Sequence, residues 1–115
     1  MLKFYGYKKC STCTRMEKHL QAQGIEYKYI DITENPPAAG PLAKMIRTSG
    51  LEVKKFINTS GQSYRAPGMK EKLTGATDQE KIRLLAADGR LIKRPLVSDG
   101  QTVTVGARPE ALEAW

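Results

Sequence analysis

The chain has 115 residues, 40% of them hydrophobic and 27% charged, with a formal net charge of +7. That composition fits one soluble domain with a single ordinary core and excludes a disordered chain. No apolar run approaches the roughly 20 residues of a membrane span. The N-terminus enters a strand at once, which leaves no room for a secretory signal, so a cytoplasmic monomer is expected. The basic residues, among them Lys8, Lys9, Lys54, Lys55, Arg65, Lys70, Lys72, Arg90, Lys93 and Arg94, are scattered and lack interleaved aromatics. They read as solvated charge with some attraction for anionic substrates, not as a direct nucleic-acid surface.

Taken in order, Leu2–Tyr5 reads as a strand and Thr14–Gln23 as a helix. Cys13, Met16 and Leu20 mark the buried side of that helix, and Gly24 ends it. The β-branched and aromatic run Ile25–Ile32 is a second strand, paired parallel to the first. A helix restarts near Pro41, with Leu42, Met45 and Ile46 on one face, and Gly50 closes it. Val53–Ile57 suggests a helical turn, Asn58–Ser63 is turn chemistry, and Met69–Leu73 is another short helix. Thr77-Asp78-Gln79-Glu80 matches a capping box before a helix carrying Ile82, Leu85 and Ala86, which Gly89 ends. Leu96–Ser98 and Gln101–Val105 read as a hairpin with a two-residue type I′ turn at Asp99-Gly100. Pro109 then starts a final helix running toward Trp115. The order is βαβ, a helical insert, then ββα.

Between the first strand and helix lie Cys10-Ser11-Thr12-Cys13, which hold both cysteines of the chain. At a helix N-terminus, unpaired N–H groups and the positive end of the dipole favour thiolate over thiol. Lys8 and Lys9 beside Cys10 add to that expectation, and an i, i+3 pair can meet the geometry of a disulfide. In the cytoplasm such a pair is more often catalytic, redox-sensing or metal-binding than a permanent staple. Zinc wants four ligands, and the chain adds only His19, about 240° around the helix from Cys13. His19 is therefore expected to be an exposed helix residue, and no metal is expected. The absence of a Gly-rich phosphate loop argues against a bound nucleotide.

This element order, with Cys-X-X-Cys after the first strand, resembles a thioredoxin-type fold: α/β (α+β), with a four-stranded mixed sheet. The core would be about residues 1–35 and 90–115, with the helical insert at about 36–89 between the second and third strands. Pro95, directly before Leu96-Val97, stands where that fold carries a cis proline facing the active cysteine. Over essentially its full length the chain resembles the arsenate reductase family of ArsC, Spx, MgsR and YffB proteins. The segments carrying the resemblance are Cys10–Cys13, Phe56–Arg65, Arg94–Val97 and Val105–Pro109.

The resemblance implies that Cys10 attacks an oxyanion or disulfide substrate, with Cys13 or glutathione resolving the adduct. Arg94 and Arg108 match arginines that bind the oxyanion. A third family arginine has no counterpart, and Lys54 falls closest; lysine offers a point charge instead of a planar fork. Ser11 and Thr12 would contribute N–H groups and hydroxyl contacts to the thiolate. Cys13 itself departs from the glutaredoxin-dependent enzymes, whose attacking cysteine has no partner three residues on. The implied activity is a thiol-dependent oxidoreductase with no bound cofactor, reduced by external glutathione, glutaredoxin or thioredoxin. The alternative is a regulator like Spx and MgsR, which binds RNA polymerase through its alpha subunit and uses Cys10–Cys13 as a disulfide switch.

Overall fold

In the computed structural model, which describes residues 2–115, the opening apolar run forms β1 (Leu2–Gly6). Strand periodicity sends Leu2 and Phe4 to one face of the sheet and Tyr5 to the other, and all three are buried. Helix α1 (Ser11–Ala22) starts three residues earlier than its apolar spacing suggests. The reason is an unusual cap: Cys10 is extended, and its sulfur accepts the backbone N–H of Cys13. Met16 and Leu20 of α1 are fully buried, each worth about 1.5–3 kcal/mol. Strand β2 (Tyr27–Asp31) runs parallel to β1, with Phe4 opposite Tyr29.

The insert follows as α2 (Ala39–Ser49), a 3₁₀ turn at Val53–Phe56, α3 (Gln62–Arg65), α4 (Met69–Thr74) and α5 (Asp78–Ala87). Gly50 ends α2 in the left-handed conformation, and the Thr77–Glu80 capping box is present at the start of α5. A second 3₁₀ turn (Gly89–Leu91) leads to β3 (Leu96–Ser98), β4 (Val103–Val105) and α6 (Pro109–Glu113). The sheet order is β2-β1-β3-β4, with β3 antiparallel to both β1 and β4. The fold is thus the four-stranded mixed α/β sheet expected, with its insert between β2 and β3.

Two apolar clusters cover the sheet. One gathers Leu2, Phe4, Cys13, Met16, Leu20, Val97, Ala107 and Ala111, so α1 and α6 share that face. The other gathers Tyr5, Leu96 and Val103 with Leu42, Ile46, Phe56, Leu85 and Ile92, which belong to the insert and the segment leaving it. An isolated antiparallel bridge between Ile57 and Ile92 ties the insert to the approach to β3. Its flanking bonds, Asn58 N–H to Leu91 O and Lys93 N–H to Phe56 O, are both 2.7 Å.

Two local expectations are corrected. The hairpin turn is not type I′ at Asp99-Gly100, because among the described residues none other than glycine has a positive φ, so Asp99 does not. The Asp99 carboxylate accepts N–H groups from Gln101 (2.8 Å) and Thr102 (2.7 Å), which centres the turn on Gly100-Gln101 and delays β4 to Val103. Gly89 does not end α5 by a left-handed conformation either; Asp88 is the extended cap. Glycine is needed there for space, since a Cβ would lie 1.8 Å from the Ile32 carbonyl oxygen.

Gly89→Ala should therefore destabilise the protein by about 1–3 kcal/mol or more, the range for overpacking against an unyielding neighbour. Gly40→Ala, on α2 with nothing within 4 Å of the added Cβ, should instead stabilise by up to about 0.5–1 kcal/mol. Urea denaturation of the two variants checks both signs.

Candidate active site

The chain leaves β1 through Gly6 and Tyr7, and the Cys10 N–H closes the loop onto the Tyr7 carbonyl at 3.1 Å. This turn delivers Cys10, half-buried, to the N-terminus of α1, while Cys13 points into the core at 1% exposure. Space for Cys13 depends on Gly6, whose added Cβ would lie 3.3 Å from the Cys13 sulfur and 2.5 Å from the Phe4 ring. Both thiols are free.

The two sulfurs are electrostatically unlike. Burial pushes the Cys10 thiol up, but hydrogen bonds from the Cys13 thiol, the Cys13 N–H (3.3 Å) and the Arg94 guanidinium more than offset it. The net position is below the ordinary thiol value. Cys13 is pushed up to about 12, first by burial and then by donating its proton to the Cys10 sulfur. One sulfur is therefore biased toward the thiolate, and its partner keeps its proton inside the core.

Arg94 is a cation that acts on Cys10; Lys8, two residues before it in sequence, sits 4.0 Å above the Tyr29 ring. The Arg94 guanidinium lies over the Tyr7 ring at 5.2 Å and also attracts Asp31. The Arg94–Pro95 peptide is cis, and Pro95 is fully buried. The Asp31 carboxyl is held below its usual range, chiefly by the hydrogen bond from the Thr33 hydroxyl at 2.6 Å.

A cavity of about 370 Å³ opens beside this cluster, with Tyr7, Thr33, Asn58, Gln62, Arg90 and Arg94 in its walls. Sequence reasoning missed Asn58 and Arg90 as site residues. Asn58 lies in the Phe56–Arg65 segment, and the Ile57–Ile92 bridge brings that segment against the residues before β3. Its side-chain amide donates to the Arg90 carbonyl at 3.4 Å, and its oxygen accepts the Ser60 N–H at 3.3 Å.

The structure thus gathers Cys10, Cys13, Arg94 and Pro95, with Ser11 and Thr12 in the first turn of α1. Lys54 and Arg108 line other cavities than Arg94 does. Lys54 pairs with Glu52 at 3.2 Å and lines a cavity between α2 and α5, together with Arg47, Asp78 and Lys81. Arg108, exposed at the start of α6, lines a third cavity with Lys55, Lys93 and Glu110. His19 is also not the exposed residue expected. It is half-buried, and its Nε2 is enclosed without a hydrogen-bond partner among the described residues. No cluster of three or more His, Cys, Asp or Glu side chains among those residues could hold a metal ion.

With this geometry established, the chain can be set beside known proteins. The ArsC family model matches residues 5–115. The protein YusI of Bacillus subtilis is 47% identical over 112 residues, covering 97% of this chain and 95% of YusI. The regulatory protein MgsR of the same organism is 22% identical over 111 residues, covering 96% of this chain and 86% of MgsR. A solved Streptococcus mutans structure described as a possible arsenate reductase is 49% identical, with a TM-score of 0.86 and 98% of each chain covered. A match that runs from within β1 to the last residue takes in the cysteine pair, the insert and the Arg94–Pro95 bond: the chain belongs to the ArsC family.

Proposed function

We propose that the protein is a thiol-dependent oxidoreductase with Cys10 as the nucleophile and Cys13 as the resolving thiol. The observation that carries this reading is the asymmetry of the pair: a lowered Cys10 beside Arg94, and a protonated, buried Cys13 hydrogen-bonded to it. With a disulfide substrate, the Cys10 thiolate attacks one sulfur. The substrate S–S bond breaks, a Cys10 mixed disulfide forms, and the other half leaves as a thiolate. Cys13 then gives up its proton and attacks the Cys10 sulfur, releasing the second half. The substrate gains two electrons and the protein loses two. An external thiol (glutathione, glutaredoxin or thioredoxin) restores the dithiol.

The high pKa of Cys13 suits its place in this order. Burial persists throughout, but the hydrogen bond to Cys10 and the repulsion from its charge vanish once Cys10 is in a mixed disulfide. Cys13 therefore becomes easier to deprotonate only when it is needed. The same chemistry accommodates an oxyanion. Cys10 displaces an oxygen from arsenate, and attack of Cys13 or glutathione on the Cys10 sulfur leaves the electron pair on arsenic. That route calls on oxyanion ligands besides Arg94, and Lys54 and Arg108 line other cavities, whereas the disulfide route needs Arg94 alone. The disulfide is the preferred substrate class on that ground.

The kinship with the regulatory protein MgsR supports a second reading, in which the Cys10–Cys13 disulfide switches a surface that binds RNA polymerase. A pull-down with the C-terminal domain of the polymerase alpha chain, oxidised and reduced, decides it; binding in neither state removes the regulator.

Because the folded Cys10 value lies below that of a free thiol, the thiolate persists as pH falls and is lost only through that lowered value. The rate of Cys10 alkylation by iodoacetamide should therefore have its midpoint below the free-cysteine value of about 8.5. Arg94→Gln should move the midpoint up, because it removes a charge that favours the thiolate. A wild-type midpoint at or above the free value contradicts the mechanism. Cys10→Ser should lose thiol–disulfide exchange altogether while keeping its circular dichroism spectrum.

A further inference from the structure

The groove lined by Arg94, the arginine that acts on Cys10, is chemically one-sided. Its walls carry two guanidiniums, from Arg90 and Arg94, together with hydroxyls and side-chain amides, and no carboxylate. The cavity at Lys54 has Glu52 and Asp78 among its walls, and the cavity at Arg108 has Glu110. Among the described residues the single ion pair is Lys54–Glu52, so neither Arg90 nor Arg94 is in an ion pair, and of the two only Arg94 feels a nearby carboxylate, that of Asp31. At about 370 Å³ the groove lies in the size range of small-molecule sites, and an inorganic oxyanion would fill only a fraction of it.

We propose that this groove seats the body of a small, carboxylate-bearing disulfide, with Arg90 as the residue that selects for its negative charge. The inference rests on Cys10 being the nucleophile and adds what lies beyond the reacting sulfur. Arg94 acts at the thiolate end, where it lowers Cys10. Arg90 provides the second cation, and a guanidinium offers a carboxylate two parallel hydrogen bonds. Gln62 supplies a neutral donor and acceptor, and the Thr33 oxygen, whose proton goes to Asp31, supplies a further acceptor for the rest of the ligand. Asn58 is a positioning residue. Both ends of its amide are spent on the Arg90 carbonyl and the Ser60 N–H, which fixes the wall that carries Arg90.

The test compares two aryl disulfides of opposite character, dianionic dithiobis(nitrobenzoate) and neutral dithiodipyridine, by the rate at which each reacts with Cys10 of the full chain. The readout is the ratio of the two rate constants. Arg90 is exposed and its backbone bonds do not involve its side chain, so Arg90→Gln keeps the fold. In that variant the anion-to-neutral ratio should fall about fivefold, the upper range for an exposed ion pair. Arg90→Lys should recover part of the loss, and added salt should compress the wild-type ratio. Arg83→Gln, which removes the same charge from an exposed position of α5 outside the groove, should leave the ratio unchanged. An unchanged ratio in Arg90→Gln overturns the proposal, as does an equal fall in Arg83→Gln, which would mean steering by net charge alone. Failure of Cys10 to react with either reagent overturns the nucleophile assignment itself, and so is distinguishable from loss of selectivity.

Discussion

A single hydrogen bond organises the site: the Cys13 backbone N–H donates to the Cys10 sulfur at 3.3 Å. It caps α1, so it decides where the helix begins. It also places negative charge on sulfur at the positive end of the helix, where the charge is most stable. Helix initiation and thiolate activation are the same interaction. Oxidation of the pair must therefore alter the cap as well as the sulfur, and this links the redox state of the pair to the start of α1.

The rest of the molecule keeps that bond in register with its surroundings. From inside, Cys13, Met16 and Leu20 anchor α1 against the Leu2–Phe4 face of the sheet. From the approach to the neighbouring strand, Arg94, next to buried Pro95, acts on the thiolate. From the insert, the Ile57–Ile92 bridge draws Asn58 and its loop against Arg90. Gly89 makes its own close approach possible, since any side chain there would strike the Ile32 backbone just after β2. A core of ordinary apolar packing thus converges on one exposed groove with an excess of positive charge.

Much of this was legible in the sequence, because it rests on local signals. The strand alternation of β1, the Cys13–Met16–Leu20 stripe, the Thr77–Glu80 capping box and Pro109 at a helix start all sit within a few residues of their effects. The cysteine pair was legible for the same reason, whereas Arg94 stood out only through the resemblance to the arsenate reductase family. Cysteine is not a customary cap residue, so the sequence placed the start of α1 three residues late. The Asp99 side chain outcompeted the turn type that Asp-Gly suggests. Asn58 and Arg90 were silent because a bridge between residues 57 and 92 joins parts of the chain with no common local pattern. Half-burial of His19 is likewise a tertiary outcome that helix periodicity alone does not reveal.

The central claim is that Cys10 attacks and Cys13 resolves. Intact-mass and peptide mapping after one equivalent of a disulfide substrate test it most directly. The wild-type chain should end with its mass lowered by two hydrogens and a Cys10–Cys13 bond, while Cys13→Ser should stall with half the substrate joined to Cys10. An adduct trapped on Cys13 in the wild type, or an unmodified Cys10 in Cys13→Ser, would contradict the account.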